Sequence, residues 1–210
     1  MTKEELLKAK QNLEKLKLSG YPSIDKPWVV NYNQKELGKE IPKRTVFEEV
    51  YNNNIAFPND LALEFFGSKI DYKTFFKNIE ATAKAFQEYG IKKGNFVTIC
   101  AAGVPETVYS FYALSKLGAV ANMIAPHFEK KDLIARISDC ESDVLIIMDE
   151  FYPDLKDAIK NSRIKNIIIL PTLNSSLLGL VSKSYKLDKH SNELYWNQFI
   201  KDGKNREESY

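Results

Sequence analysis

A histidine placed directly after a predicted strand is the side chain best suited to bind a ligand. His127 follows Pro126 and an apolar run at residues 119–124, a pattern typical of a buried β-strand. In an open α/β sheet, ligands bind at the edge where the carboxyl ends of the strands meet. An imidazole there can donate a hydrogen bond or carry a positive charge. The alternative is a loop histidine that faces solvent, and the sequence leaves both interpretations open.

Three other charged residues are candidates for chemistry near the same edge. Arg136 and Lys156 are the basic residues nearest to it on the next two predicted helices, and charge alone does not separate a binding role from ordinary exposure. Glu106 follows Pro105 at the start of a helix. An acid in a first turn complements the helix dipole, and proline suits the first helical position, so we interpret Glu106 as structural.

Several kinds of site are excluded by residue spacing. His190 lies in a polar linker, and two histidines and two cysteines without close spacing give no zinc site. No Gly-x-Ser-x-Gly and no Gly-x-Gly-x-x-Gly motif occurs, which argues against a serine hydrolase and a dinucleotide fold. The nine glycines are scattered, so no run of backbone N–H groups is available to cradle a phosphate. We therefore predict no catalytic residue and no metal site in this segment.

The elements that position these residues follow a strand–helix rhythm. Short apolar runs at residues 96–101, 119–124, 144–148 and 167–170 alternate with helical periods. This pattern predicts an α/β fold with a mainly parallel sheet and helices on both faces. Thr45 and Asp71 are placed to cap helices over residues 45–54 and 72–89, and the aromatic stripe of the second helix predicts core.

Four segments are predicted along the chain. Residues 1–20 form an N-terminal helix that either packs on the domain or binds a partner, and residues 21–44 form an extended arm. Residues 45–172 form the α/β subdomain, including a β-hairpin at residues 61–70 that turns at Gly67-Ser68. Residues 173–210 form a helical and loop extension. In it we expect a short helix at residues 177–181, a final helix within residues 188–200, and disorder from Lys201 onward.

Bulk composition is that of an ordinary globular domain. The chain has 210 residues, 28% of them charged and 44% hydrophobic, with a net charge of +2. A field this weak does not favour nucleic acid or an acidic membrane surface as partner. No apolar run approaches the roughly 20 residues of a membrane span, and no signal peptide is evident. With Cys100 and Cys140 expected as buried free thiols, we predict a cytoplasmic protein.

The part of the sequence with the strand–helix rhythm resembles the adenylate-forming ligases, the superfamily of acyl-CoA synthetases, luciferases and peptide-synthetase adenylation domains. Four blocks of residues carry the resemblance. No block is specific by itself, but their order and spacing together are. They are residues 62–72 (ALEFFGSKIDY), 89–97 (YGIKKGNFV), 105–120 (PETVYSFYALSKLGAV) and 125–128 (APHF) followed by Leu133, Ile137 and Asp139. Upstream, Lys26-Pro27-Trp28 and residues 41–47 look most like the long-chain fatty acyl-CoA ligases. The likeness covers roughly residues 26–170.

The resemblance implies an activity and its cofactors. Such ligases join a fatty acid to coenzyme A (CoA) through an acyl-adenylate, and they use ATP and Mg²⁺. In the family, the loop holding His127 lies near the CoA channel, and basic side chains from the region of Lys156 bind the CoA 3′-phosphate. His127 and Lys156 are accordingly our candidates for CoA binding. Ala125 stands where the family usually has asparagine.

The resemblance also implies what the segment lacks. Members are more than twice as long, and their phosphate loop, adenine-binding aromatic, ribose-binding aspartate and catalytic lysine lie beyond the matched region. We therefore expect an N-terminal fragment, inactive alone, whose partner is the remainder of its own chain. The alternative is a stand-alone α/β binding module derived from such a ligase. A flavodoxin-like domain would share the rhythm without explaining residues 117–120.

Overall fold

The computed structural model describes residues 7, 11, 19–32, 39–126, 129–172, 185–187 and 192–204. The chain divides into two compact units, residues 1–43 and 44–210. In the first unit Leu7 and Gln11 are helical, and most of the remaining predicted N-terminal helix lies outside the described residues. Where an extended arm was predicted, the chain forms helix α1 (Pro22–Asp25) and a 3₁₀ helix (Pro27–Asn31).

The second unit begins with a helix, a hairpin and a second helix. Helix α2 (Val46–Asn54) starts at Thr45 with the predicted capping box. Strands β1 (Leu61–Phe65) and β2 (Ser68–Asp71) pair antiparallel, as predicted. Their turn residues are Phe66 and Gly67, both with positive φ, so the expected turn at Gly67-Ser68 is wrong by one residue. The two left-handed conformations match the strand twist at a two-residue turn.

Helix α3 (Tyr72–Glu88) supplies much of the core. Asp71 caps it by accepting a hydrogen bond from the backbone N–H of Thr74. The predicted apolar stripe is buried in full, and its members are Phe75, Phe76, Ile79, Ala83 and Phe86. Each buried phenylalanine contributes about 1.5–3 kcal/mol of burial free energy, so the stripe fixes which side of the helix faces inward.

A five-stranded parallel sheet forms the centre of the unit. Its strands are β3 (Phe96–Cys100), β4 (Val120–Ile124), β5 (Val144–Met148), β6 (Asn166–Leu170) and β7 (Glu193–Tyr195), in the order β4-β3-β5-β6-β7. All four pairings are parallel. Every residue of β5 is buried, because neighbours cover this strand on both edges and both faces.

Helices cover both faces, as predicted. Helix α4 (Pro105–Leu117) packs with α3 over one face, where Val97, Ile99 and Ile146 join the core. Helices α5 (Lys130–Asp139) and α6 (Tyr152–Lys160) pack over the other face. Gly118 ends α4 in the left-handed conformation, at φ +67°, which glycine adopts without steric cost.

The chain after Thr172 corrects two expectations. Residues 193–195 form the strand β7, which the sequence did not reveal. Helix α7 (Trp196–Lys204) begins within the predicted range but runs on through residues 201–204, where disorder was expected. It does so because Phe199 is fully buried against Phe86. The predicted helix at residues 177–181 and residues 205–210 lie outside the described residues.

Among the described residues, no helix combines the length and the apolar content needed to cross a bilayer.

Candidate functional site

The strand order defines where a ligand crevice opens in this sheet. The connection after β3 leads to β4, on one side of β3. The connection after β4 leads to β5, on the opposite side of β3. Ligand sites in open α/β sheets lie at such a switch point, at the carboxyl ends of the strands. The candidate site is therefore the edge formed by the ends of β3 and β5. Gly103, in the loop after β3, is exposed and has open space beside its Cα.

Two hydrogen bonds hold the loop after β3 across this crevice. The backbone N–H of Ala102 donates to Sδ of Met148, at the end of β5, over 3.2 Å. The hydroxyl of Thr107 donates to the carbonyl oxygen of Ala102 over 2.9 Å. The loop is thus fixed between the end of β5 and the first turn of α4.

Asp149 closes the carboxyl edge between β5 and β6. Its carboxylate accepts hydrogen bonds from the backbone N–H of Thr172 at 3.0 Å and from the Thr172 hydroxyl at 2.7 Å. Sequence reasoning missed this residue, although an acid directly after five buried apolar residues was a usable signal. Because the Asp149 side chain is buried and hydrogen-bonded to Thr172, it connects the carboxyl end of β5 to that of β6.

The strand that precedes His127 in the sequence ends at the same edge. Strand β4 ends at Ile124, and Ala125 and Pro126 follow it. His127 and Phe128 themselves lie outside the described residues, as does His190. The role of His127 toward CoA therefore stays a prediction.

Lys156 is held in a buried polar network. Its Nζ lies 3.0 Å from Oε1 of Glu193 and donates to the Tyr185 hydroxyl over 2.6 Å. The hydroxyl of Tyr152 donates to Oε1 of Glu193 over 2.7 Å, and that of Tyr185 to Oε2 over 3.2 Å. The Glu193 side chain is only 1% exposed and that of Lys156 20%.

These contacts change what Lys156 can do. The hydrogen bonds with Tyr185 and Glu193 raise its pKa above the usual value for lysine. A buried carboxylate needs a partner of opposite charge, so Lys156 neutralises Glu193 in this structure. Binding of a CoA phosphate by Lys156 stays a prediction, and it requires Nζ to be shared with Glu193.

The network also has a definite place relative to the sheet. Glu193 is the first residue of β7 and pairs with Ile167, near the start of β6. The Glu193 end of the network therefore lies toward the amino ends of the strands, and Lys156 reaches it from the middle of α6. Arg136 is exposed in the last turn of α5, a helix that begins at the carboxyl edge, so this residue also lies away from that edge.

Glu106 is in the first turn of α4, as predicted, and it is deeply buried. It is 2% exposed and lines a cavity of about 210 Å³ with Asn78, Thr82, Tyr109 and Trp196. Burial raises the pKa of Tyr109, the hydrogen bond with Asn78 opposes this, and the nearby Glu106 adds to the rise. This polar cavity between α3, α4 and α7 was invisible in the sequence, because it depends on how α7 returns to pack on α3.

The described residues include two cysteines and no cluster of metal ligands. Cys100 is buried and Cys140 is half-buried, and both thiols are free. Burial raises the pKa of Cys100 to about 11, which keeps this thiol protonated and unreactive. In this part of the chain, no group of three or more His, Cys, Asp or Glu side chains is arranged to hold a metal ion.

Comparison with known sequences assigns this architecture to a family. The sequence model of the family described as "AMP-binding enzyme" matches residues 51–203. The match therefore extends past residue 170, where the resemblance in the sequence had ended, and takes in β7 and α7. Acetyl-coenzyme A synthetases of Brucella canis and Brucella abortus are each 35% identical over 86 residues. The aligned part covers 41% of this chain and 13% of each relative.

Comparison with solved structures supports the fold. An anthranilate CoA ligase in complex with anthranoyl-AMP has a TM-score of 0.64 at 19% identity, covering 77% of this chain and 29% of that one. Coronafacic acid ligase from Pectobacterium brasiliense also has a TM-score of 0.64 at 19% identity, covering 75% and 29%. The chain spans less than a third of the length of these proteins. Since the family model matches most of the sequence, this chain belongs to the AMP-binding enzyme family of adenylate-forming ligases.

Proposed function

We propose that this chain is the N-terminal part of an ATP-dependent acid–CoA ligase. In the proposed reaction a carboxylate oxygen attacks the α-phosphate of ATP, which forms an acyl-adenylate and releases pyrophosphate. The thiolate of CoA then attacks the acyl carbonyl carbon and displaces AMP. The observation that carries the proposal is the family match over residues 51–203, a range that includes the whole five-stranded sheet.

Within that enzyme, the segment is proposed to form one wall of the active-site valley. Its carboxyl edge faces the reacting groups, and the loop with His127 lies beside the path of CoA. The scattered glycines offer no phosphate cradle, so ATP and Mg²⁺ are assigned to the part of the enzyme outside this segment. That part stabilises the charge developing on the α-phosphate.

The substrate is proposed to be a medium- or long-chain fatty acid, and the location cytoplasmic. The support for a fatty acid is the likeness of residues 26–47 to long-chain ligases. The matched relatives are named for acetate, and the solved ligases for anthranilate and coronafacic acid. The names have in common the ligation of an organic acid, with CoA named in two of the three, and chain length is the finer part of the proposal.

Pyrophosphate release tests the reaction. The 210-residue chain, incubated with Mg²⁺-ATP, CoA and acids from acetate to palmitate, is expected to release none. A polypeptide that continues along the gene to the usual family length is expected to release pyrophosphate with at least one acid, most rapidly with a fatty acid. Turnover by the short chain alone, or none by the long one with any acid, would contradict the proposal. A stop codon directly after Tyr210 would favour the stand-alone binding module.

The CoA role of His127 has its own test in the longer polypeptide. His127→Ala is expected to raise KM for CoA several-fold while kcat and KM for ATP stay unchanged. His190→Ala serves as the matched control, because that histidine was predicted to lie on the surface. Equal KM values for CoA in the two variants would contradict a role of His127 in CoA binding. Lys156→Gln requires a parallel stability measurement, since the lysine also neutralises Glu193.

A further inference from the structure

Gly103 differs from the other glycines that the structure describes. Five of them have a backbone φ in the left-handed region, where glycine is favoured; they are Gly20, Gly67, Gly90, Gly94 and Gly118. Another, Gly203, lies so close to α3 that a Cβ would meet the Ala85 backbone at 2.4 Å. Gly103 has no such φ, and nothing lies within 4 Å of a Cβ built on it. Neither backbone conformation nor packing among the described residues therefore calls for glycine at this position.

The loop that contains Gly103 is held in place, so it does not use glycine for flexibility. The Ala102 N–H donates to Sδ of Met148 over 3.2 Å. The Ala102 carbonyl oxygen accepts from the Thr107 hydroxyl and from the Val104 N–H, both over 2.9 Å. Met148 is 2% exposed and belongs to β5, which is buried throughout. Because glycine also leaves the unfolded chain more freedom than alanine does, its use here is to be sought outside the contacts of the loop.

The position of Gly103 in the sheet points to a ligand. It follows the carboxyl end of β3, at the switch point where open α/β sheets bind ligands. It is exposed, and the space beside its Cα is open. Glycine is a common residue where the backbone approaches a ligand closely. A group that sits in the crevice can therefore contact the Gly103 backbone, which a side chain at this position would prevent.

The chemistry of this loop favours an uncharged, apolar group. Residues 96–105 contain no charged side chain. The next residue, Glu106, is buried and lines the cavity between α3, α4 and α7. A phosphate group would find no cationic side chain in the loop, and the Ala102 N–H is already bonded to Met148. A hydrocarbon group needs neither partner, so it fits this wall of the crevice.

We propose that Gly103 determines specificity by contacting the hydrocarbon part of the acid, and that Met148 positions it. The inference rests on the ligase function proposed above, and it names the part of the substrate that meets this segment. A side chain at Gly103 would occupy the space of that hydrocarbon. Loss of the Met148 sulfur would leave the Ala102 N–H without its acceptor and would release the loop from β5.

Substitution of Gly103 in the longer polypeptide tests the contact. Gly103→Val is expected to raise KM for the best acid roughly tenfold, the size of effect that a misfit of a methylene has in an apolar site. Gly103→Ala should have a smaller effect. KM for ATP and KM for CoA should stay unchanged, and short acids should be affected less than long ones. Ala56→Val, which adds bulk at an exposed turn residue after α2, is the control and should change none of these values.

Two measurements test the positioning role of Met148. Met148→Leu nearly conserves the side-chain volume and removes the hydrogen-bond acceptor. In the 210-residue chain, the amide hydrogen of Ala102 should then exchange with solvent several-fold faster, as followed by NMR. In the longer polypeptide the same change should raise KM for the acid and leave KM for ATP unchanged, a split that a general loss of stability would not produce. Met123→Leu, at an exposed methionine of β4, is the control and should alter neither quantity.

Two results would overturn the inference. One is an unchanged KM for the acid in Gly103→Val; a lower urea midpoint of that variant would then show that another segment of the protein, and not the acid, occupies the space. The other is unchanged exchange of the Ala102 amide hydrogen in Met148→Leu. Absence of pyrophosphate release by the unsubstituted longer polypeptide would instead contradict the proposed ligase function, so the two failures are distinguishable.

Discussion

The five-stranded sheet ends in two different ways. At one side β7 has only three residues, and Glu193 at its start is held by Lys156, Tyr152 and Tyr185. Helix α7 follows directly and packs against α3 through Phe199 and Phe86. At the other side β4 has five uncharged residues, two of them well exposed. Short, charged edges resist pairing, and long apolar ones invite it.

This contrast indicates where substitutions in the second unit should affect its folding free energy and where they should not. Around β7, buried charge is paired and helices are in close contact, so substitutions there should cost folding free energy. Along β4, Val120 and Met123 already face solvent, so substitutions at these two positions should cost little stability. The following predictions take the contrast from its largest expected effect to its smallest.

Gly203→Ala is expected to be the most destabilising change. A Cβ at this position would lie 2.4 Å from the backbone nitrogen of Ala85, so α7 must move away from α3. Overpacking of this kind costs about 3 kcal/mol. Urea denaturation measures it, with Gly103→Ala as control, since nothing lies within 4 Å of a Cβ there. Equal midpoints for the two variants would mean that α7 is not tightly docked.

Lys156→Met is expected to cost about 2 kcal/mol at neutral pH. Removing one member of a buried pair leaves a charge uncompensated, and the tyrosine hydroxyls that still bond Glu193 reduce the loss. The raised pKa of Lys156 gives the pH dependence. The stability it adds is complete below the ordinary lysine pKa of about 10.4 and is lost as pH rises through the higher folded value.

Denaturation of wild type and Lys156→Met at a series of pH values measures this effect. The difference in the free energy of unfolding should be constant near neutrality and should shrink at strongly alkaline pH. Lys160→Met, an exposed residue on the same helix, is the control and should show no such difference. A gap between wild type and Lys156→Met that widens with alkalinity would contradict the ion pair.

Gly118→Ala is expected to cost about 1–2 kcal/mol. Gly118 has φ +67° at the end of α4, directly before β4, and a left-handed conformation disfavours any side chain. A new Cβ would also lie 3.1 Å from Cγ of Lys93, which is flexible enough to move. Thermal melts compare it with Gly118→Asn, which tolerates this conformation better and should lose less. An unchanged melt for the alanine variant would refute the cap.

Val120→Thr is expected to change the free energy of unfolding by no more than about 0.5 kcal/mol, the usual range for exposed positions. Val120 is well exposed on the open edge, and threonine keeps the β-branched shape. Urea denaturation of the dilute chain measures this change in the free energy of unfolding. The comparison is Leu194→Thr in β7, which packs against the core and should lose clearly more. A larger loss at Val120 would mean that the β4 edge is covered.

Elements with a strong local pattern were predictable from the sequence. The capping box of α2, the Asp71 cap and apolar stripe of α3, and the strands β3 to β6 are encoded by neighbouring residues. Strand β7 was missed because three residues, Glu-Leu-Tyr, are too few to show a period. The extent of α7 was also missed, since residues 201–204 have few apolar side chains and are ordered by contact with α3.

The candidate site was predictable in part for the same reason. The carboxyl edge follows from the order of strands and helices along the chain, so the sequence located it at the right end of the sheet. The partners of Lys156 did not follow, because Tyr185 and Glu193 lie 29 and 37 residues further along the chain. Asp149 and Thr172 likewise meet only when β5 and β6 pair.

Local sequence alone determined the fold class of this protein, its parallel sheet, its helix caps and its likeness to the adenylate-forming ligases, because these depend on side-chain periodicity and short blocks of residues. Tertiary structure alone decided which charges are paired, which edge of the sheet is closed and which stays open. The physical reason is that ion pairing and edge protection depend on residues distant in the chain, whose approach is set by the packing of whole strands and helices.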